Sequence, residues 1–217
     1  MAAVAGTIAD AVADWVFERG ATRVVVENGG DISVRLAPEG TVSVGIRPSV
    51  ATRRLSHYFR LTGSQSGWGI ATSGLGGRSL TRGIASAVTV LADCAAVADA
   101  AATAIANACY IADGNIVQMP AEQIDPATDI AGIPVTVGVG PLDANVRRTA
   151  VQYALDKAGR LTLDGVIKGA MVASGGENHV SQGLEPFVNI FSESMNITEA
   201  ALNVRHFDAN PTPNLNL

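Results

Sequence analysis

The stretch Leu91–Ala108 reads LADCAAVADAAATAIANA, and from Asp93 to about Ile111 the chain is nearly all Ala, Val and Ile. Such a run is helical, and Asp93 stands where an N-cap is expected. Small side chains on every side predict a buried helix packed closely on a sheet. Asp99, Thr103 and Asn107 follow at i, i+4 and i+8, so they stack along one face. An ionised Asp is costly in such apolar surroundings unless something pairs with it. A hard cation such as Mg²⁺ would, because it takes carboxylate and hydroxyl oxygens and retains waters. The competing readings are a stripe that faces water, or an Arg partner for Asp99.

Working outward, Ala85–Leu91 is a β-branched strand, and Gly67–Ser73 is a shorter one running into Gly74-Leu75-Gly76-Gly77-Arg78-Ser79. Thr72, Ser73 and Gly74 at a strand end, followed by glycines, Arg78 and Ser79, form a reasonable anion cradle with Arg78 as clamp. No Gly-Lys-Ser/Thr occurs, so this is not a P-loop; a solvent loop with incidental glycines is the alternative. Asn28-Gly29-Gly30-Asp31 separates the strands Thr22–Val26 and Ile32–Leu36. It reads as a hairpin turn, or as a place where backbone approaches a ligand phosphate or ring with Asp31 beside it. Thr41–Ile46 and Leu55–Leu61 are further strands.

Ile8, Val12, Trp15 and Val16 predict an amphipathic helix with those residues as its core face, closed at Gly20. Downstream, Ile133–Val139 is a strand. Asp143–Ala158 is a helix using Val146, Ala150, Tyr153, Ala154 and Lys157, and Gly165–Ala173 is a late strand. GGENHVSQG and an Asn/Pro-rich end follow. Early strands with helices between some of them indicate an α+β layered fold.

The chain has 217 residues, 47% hydrophobic, and a net charge of −5, which disfavours a nucleic-acid surface. No uncharged apolar stretch is long enough to span a membrane, and the N-terminus lacks the basic region of a signal peptide, so a cytoplasmic location is expected. Cys94 and Cys109 lie too far apart along one helix to bridge and have no metal-ligand neighbours.

Three segments in order carry a family resemblance. VVENGGDISV resembles the Asn-x-Gly-Gly-Asp segment of the ApbE flavin transferases, GIATSG their Ala-Thr-Ser-Gly strand end, and LADCAAVADAAATAIANA their Ala-Asp-Ala-x-Ala-Thr-Ala helix. Gly77–Gly83 and Ala100–Asn107 are most similar to the UPF0280-type branch. The resemblance implies an ApbE-like, T-fold-like layered sheet with packed helices, the Ala-rich helix buried among them. It also implies Mg²⁺-dependent transfer of FMN from FAD to a protein Thr with release of AMP. Metal ligation would fall to Asp99 and Thr103, helped by a main-chain carbonyl near Ala2–Ala5. Flavin binding would fall to Asn28, Gly29, Gly30, Asp31, Thr72, Ser73 and Gly74, and Arg78 and Ser79 would act beside the metal residues. This sequence departs from the family at Ala5, where the transferases carry Lys, and after Gly74, where their His is absent.

The resemblance runs from about Ala2 to Ala173 and implies a domain of residues 1–182 that lacks the family's N-terminal segment; residues 183–217 read as an extension or tail. An open sheet edge or apolar face is therefore expected, covered by a second chain, a homo-oligomer or the tail. Two other functions compete with flavin chemistry. One is a metal-assisted hydrolase of a small carboxylated substrate, using Arg78 with Ser73, Ser79 or His179. The other is a catalytically silent subunit that scaffolds a partner.

Overall fold

The computed structural model describes residues 3–77 and 79–191. Arg78 and the segment from Ser192 onward, most of the expected extension, lie outside the described residues. The order is α1 (Val4–Phe17), β1 (Arg23–Asn28), β2 (Asp31–Leu36), β3 (Thr41–Ile46), β4 (His57–Thr62), β5 (Trp68–Ser73), β6 (Ala87–Ala92), α2 (Ala95–Ala108), β7 (Ile116–Pro120), β8 (Pro134–Val139), α3 (Ala144–Leu163), β9 (Gly169–Ser174), β10 (Glu177–Val180) and β11 (Val188–Ile190).

Six strands form one sheet in the order β1-β2-β5-β6-β9-β10, every neighbour antiparallel. The alternation of side chains sends the two sets of residues to opposite faces. Ala71, Val88, Val90, Ala92, Ala170 and Val172 meet the Ala-rich faces of α2 and α3 in one core. Val34, Ile70, Leu91 and Met171 meet a second sheet, β11-β4-β3, in another core with Phe59, Leu61 and Trp68. β7 and β8 make a separate two-stranded ribbon. The fold is α+β. Leu184 is fully buried in the second core, and β11 pairs with β4, so residues 183–191 are built into it.

The Ala-rich segment is a helix that buries Ala95, Ala98, Ala101, Ala102, Ile105 and Ala106. Its closeness to its neighbours is set by main chain. A Cβ on Gly69 of β5 would collide with the Cys94 carbonyl, and one on Gly6 of α1 with the Ala95 carbonyl. The helix does not start at Asp93, which is exposed and pairs with Lys168 at 2.8 Å. The N-cap is Cys94, without a side-chain cap bond. The free N–H groups of Ala95 and Ala96 donate instead to Asp10 of α1, at 3.0 and 2.9 Å. A carboxylate at a helix N-terminus is stabilised by the same partial charge a local cap would meet.

α1 is turned from its expected orientation. Its buried residues are Gly6, Ala9 and Ala13, whereas Ile8, Val12 and Trp15 are 45–58% exposed. Two physical reasons fix this. Large side chains cannot fit between α1 and α2 where backbone nearly touches backbone. In addition, Asp10 and Asp14 must reach β2, where Arg35 donates to Asp14 at 2.6 Å and Ser33 to Asp10 at 2.6 Å. In α3 Ala150 and Ala154 are buried as expected but Tyr153 is 48% exposed, and the helix runs through Gly159 to Leu163. The ribbon strand β7, and β10 within GGENHVSQG, carry no strong alternation in the sequence.

Candidate ligand site

At one end of the main sheet β5 stops, the β1–β2 turn projects, and the middle of α2 lies exposed between them. The result is a cleft of about 1190 Å³. Asn28, Gly29, Gly30 and Asp31 line it from the turn, and Thr72, Ser73, Gly74 and Ser79 from the strand end and loop. Asp99, Thr103 and Asn107 line it from α2. Residues drawn from widely separated parts of the chain thus converge on one space.

The turn has a specific cause. Gly29 and Gly30 have φ of 70° and 107°, the left-handed values that a tight two-residue hairpin demands. Asn28 then sits beside the start of α1 and donates through Nδ2 to the Ala5 carbonyl at 3.2 Å. Next to that carbonyl, the Gly6 N–H donates to Asp99 Oδ2 at 3.2 Å. Asp99 is half-buried rather than enclosed, and it lines the cleft from α2. Thr103, one turn on, is also half-buried. On the strand side Thr72 and Thr89 join hydroxyls at 2.9 Å, and Ser73 and Ser79 at 3.3 Å.

Asn107 serves the architecture: its Oδ1 accepts from the Arg82 N–H at 2.9 Å and from Thr81 at 3.3 Å, pinning the end of the glycine loop to α2. The ribbon hangs on the same loop, because Thr136 and Gln118 donate to the Arg82 carbonyl at 2.8 and 3.1 Å. Its connection contributes Asp125, Thr128 and Asp129 to the cleft, and Arg47 and Arg82 also line it. None of these stands out in the sequence, where isolated Asp and Arg in loops carry no periodic signal. His179 is elsewhere, on β10, beside Glu177 at 3.6 Å.

Asp10 supports the site from behind. Burial raises its pKa, but bonds from Ser33, Ala95 and Ala96 and the charge of Arg35 outweigh this and hold the carboxyl below its usual value. The polar face of β2 (Asp31, Ser33, Arg35) opposite two Asp on α1 is a readable signal for this network.

Among the described residues no three His, Cys, Asp or Glu cluster as a dedicated metal cage. Asp99 and Thr103, lining the cleft with Ala3, Val4 and Ala5, could instead contribute to an incomplete, all-oxygen donor set. That suits Mg²⁺, which is commonly held by one or two carboxylates plus waters and a ligand's phosphates.

A family model described as AbpE bacteria matches residues 1–180. A UPF0280 protein of Methanococcus maripaludis strain C6 is 32% identical over 139 residues, 64% of this chain and 56% of that protein. One from Methanosarcina barkeri is 40% identical over 109 residues, 49% of this chain and 42% of that one. This chain spans about half the length of the curated relatives it matches. Among solved structures, an ApbE protein of Thermotoga maritima aligns with a TM-score of 0.49 at 16% identity, over 84% of this chain and 50% of its own. The flavinyl transferase ApbE of Pseudomonas stutzeri aligns at 0.48 and 16%, over 85% and 51%. With the family model running through most of its length, the chain belongs to this AbpE bacterial family, within the ApbE-like superfamily.

Proposed function

We propose that the cleft binds a flavin dinucleotide, with Mg²⁺ held by Asp99 and Thr103, and that the chain acts at the ligand's pyrophosphate as a flavin transferase. The observation that carries this reading is the convergence of the Asn28–Asp31 turn, the Thr72–Gly74 strand end and the Asp99–Thr103 face on one cleft. At about 1190 Å³ it exceeds the roughly 300–1,000 Å³ typical of pockets for drug-sized ligands. An extended two-part ligand suits such a space. The family membership and the flavinyl transferase among its structural relatives point to the same ligand class.

In this reading the glycine turn lets main chain approach the ligand closely, and Asn28 holds that turn against the start of α1. Arg47 and Arg82, which line the cleft, would meet phosphate oxygens. Bound Mg²⁺ would neutralise the pyrophosphate and stabilise charge on the leaving phosphate. In that reaction an acceptor hydroxyl oxygen would bond to the FMN phosphorus as the pyrophosphate P–O bond breaks, with AMP leaving and the hydroxyl proton passing to solvent.

Isothermal titration of FAD into the chain, with and without Mg²⁺, tests the proposal. The expected result is binding that requires Mg²⁺ and is lost in Asp99→Ala while the variant stays folded. FAD binding indifferent to both metal and Asp99, or no binding under any condition, would overturn it.

A further inference from the structure

The β1 edge and the exposed face of α1 together point to a second copy of this chain. Among the described residues β1 pairs only with β2, which leaves its outer edge open. The register decides which groups face outward. The Ala37 N–H donates to the Thr22 carbonyl at 2.8 Å, and alternation from that pair makes Val24–Arg35 and Val26–Ser33 hydrogen-bonded pairs as well. The N–H and C=O groups of Arg23, Val25 and Glu27 therefore point away from β2. An exposed edge of this kind is a template for another strand.

This edge is complementary to itself. If a two-fold axis passes through Val25, two β1 strands pair antiparallel with Val25 opposite Val25. Arg23 of each copy then stands opposite Glu27 of the other. Both residues are exposed, and both sit on the same face of β1. Cross-strand pairs of opposite charge are favourable, while a register shift by two residues puts Arg23 opposite Val25 and loses them.

The helix layer agrees. α1 lies across β1 and β2, and its outward stripe of Val4, Ile8, Val12 and Trp15 is 45–58% exposed. With strands about 4.8 Å apart, joining two β1 edges sets the two α1 axes about 10 Å apart on one face of the joined sheet. That is close to the roughly 8–10 Å at which helices pack. One operation thus closes the open edge and brings both apolar stripes together. We propose that this chain forms a two-fold dimer through β1 and α1, joining two six-stranded sheets into one.

Sedimentation equilibrium of the full chain should give twice the 22.2 kDa chain mass. Arg23→Glu and Glu27→Arg should each weaken the dimer by about tenfold, because each makes like charges face across the axis. Mixing the two variants should restore it, since both facing pairs then have opposite charge; restoration also shows that both variants are folded. Acrylamide quenching supplies a second readout, as Trp68 is 2% exposed and the accessible signal comes from Trp15. In the dimer Trp15 should be protected, and dilution should expose it. A monomer with quenchable Trp15 would overturn the proposal. So would a monomer with protected Trp15, which would assign the stripe to another part of the same chain. A dimer indifferent to both charge reversals would place the interface elsewhere and overturn it equally.

Discussion

Asp10 shows how much one side chain can carry. It caps α2, receives Ser33 and pairs with Arg35, whose side chain is only 9% exposed. Replacing it by Ala leaves a buried guanidinium short of charge and two helix N–H groups without a partner. Asp10→Ala should therefore cost about 3 kcal/mol, read as a shift in urea midpoint. The folded carboxyl titrates below its unfolded value. Its stabilisation is then complete above the unfolded pKa and disappears as pH falls through the folded one. Acidification below about pH 4 should destabilise the native chain more than Asp10→Asn, measured by urea midpoints across that range. The cysteines differ in the same physical terms. Burial pushes the Cys109 thiol up to about 11, and its side chain is enclosed, whereas Cys94 is half-buried. Cys94 should be modified by a thiol reagent in the native protein, and Cys109 only on unfolding, as counted by mass spectrometry. Site residues on strong patterns are legible in the sequence: the i, i+4 spacing of Asp99 and Thr103 and the turn glycines both stand out. Asp10 stands out only with its partners: the polar face of β2 signals a charged neighbour, but nothing local on α1 marks Asp10 as the cap of α2.

At the scale of elements, α1 teaches the most. Its apolar spacing signals a helix correctly, yet points the wrong face at the core. Hydrophobic periodicity reports that a stripe will be covered, not by what. Against α2 the demand for close backbone approach selects Gly6, Ala9 and Ala13 instead. The strands β3, β5 and β6 are legible because buried β-branched and small residues alternate or run continuously between turn signals. β7, β10 and β11 are short and half-buried to exposed, so their tertiary pairing rather than their composition makes them strands. The β7–β8 ribbon is held to the glycine loop by few bonds, those of the Thr136 and Gln118 side chains to the Arg82 carbonyl and that of the Thr136 N–H to the Thr81 carbonyl. Thr136→Val should loosen the ribbon and weaken FAD binding several-fold, with the melting temperature lowered by only a few degrees. Titration calorimetry beside a thermal melt separates the two effects.

Across the whole molecule, one sheet separates two cores and belongs to both. Neither core can open without exposing a face of the strands that support the other. Unfolding should be a single transition: in a Trp15→Phe background, Trp68 fluorescence from the second core and far-ultraviolet helix signal from the first should give coincident denaturant curves. Separate midpoints would mean that the layers are independent units. The overall layering is accessible from the order of strands and helices, and an open edge is expected, but which strand forms it and which charges would face across it emerge only once topology and register are known. The contact of Gly6 and Gly69 with the backbone at the start of α2 has a consequence for how this protein can change. What sets the closeness of the helix is main chain, so the bulk of Asp99 and Thr103 is relieved of that duty, although Asp99 adds one bond from the Gly6 N–H. In a saturation library scored for folding alone, positions 99 and 103 should accept many residues, while positions 6 and 69 accept almost none. Ligand preference could then drift widely on a scaffold that itself hardly moves.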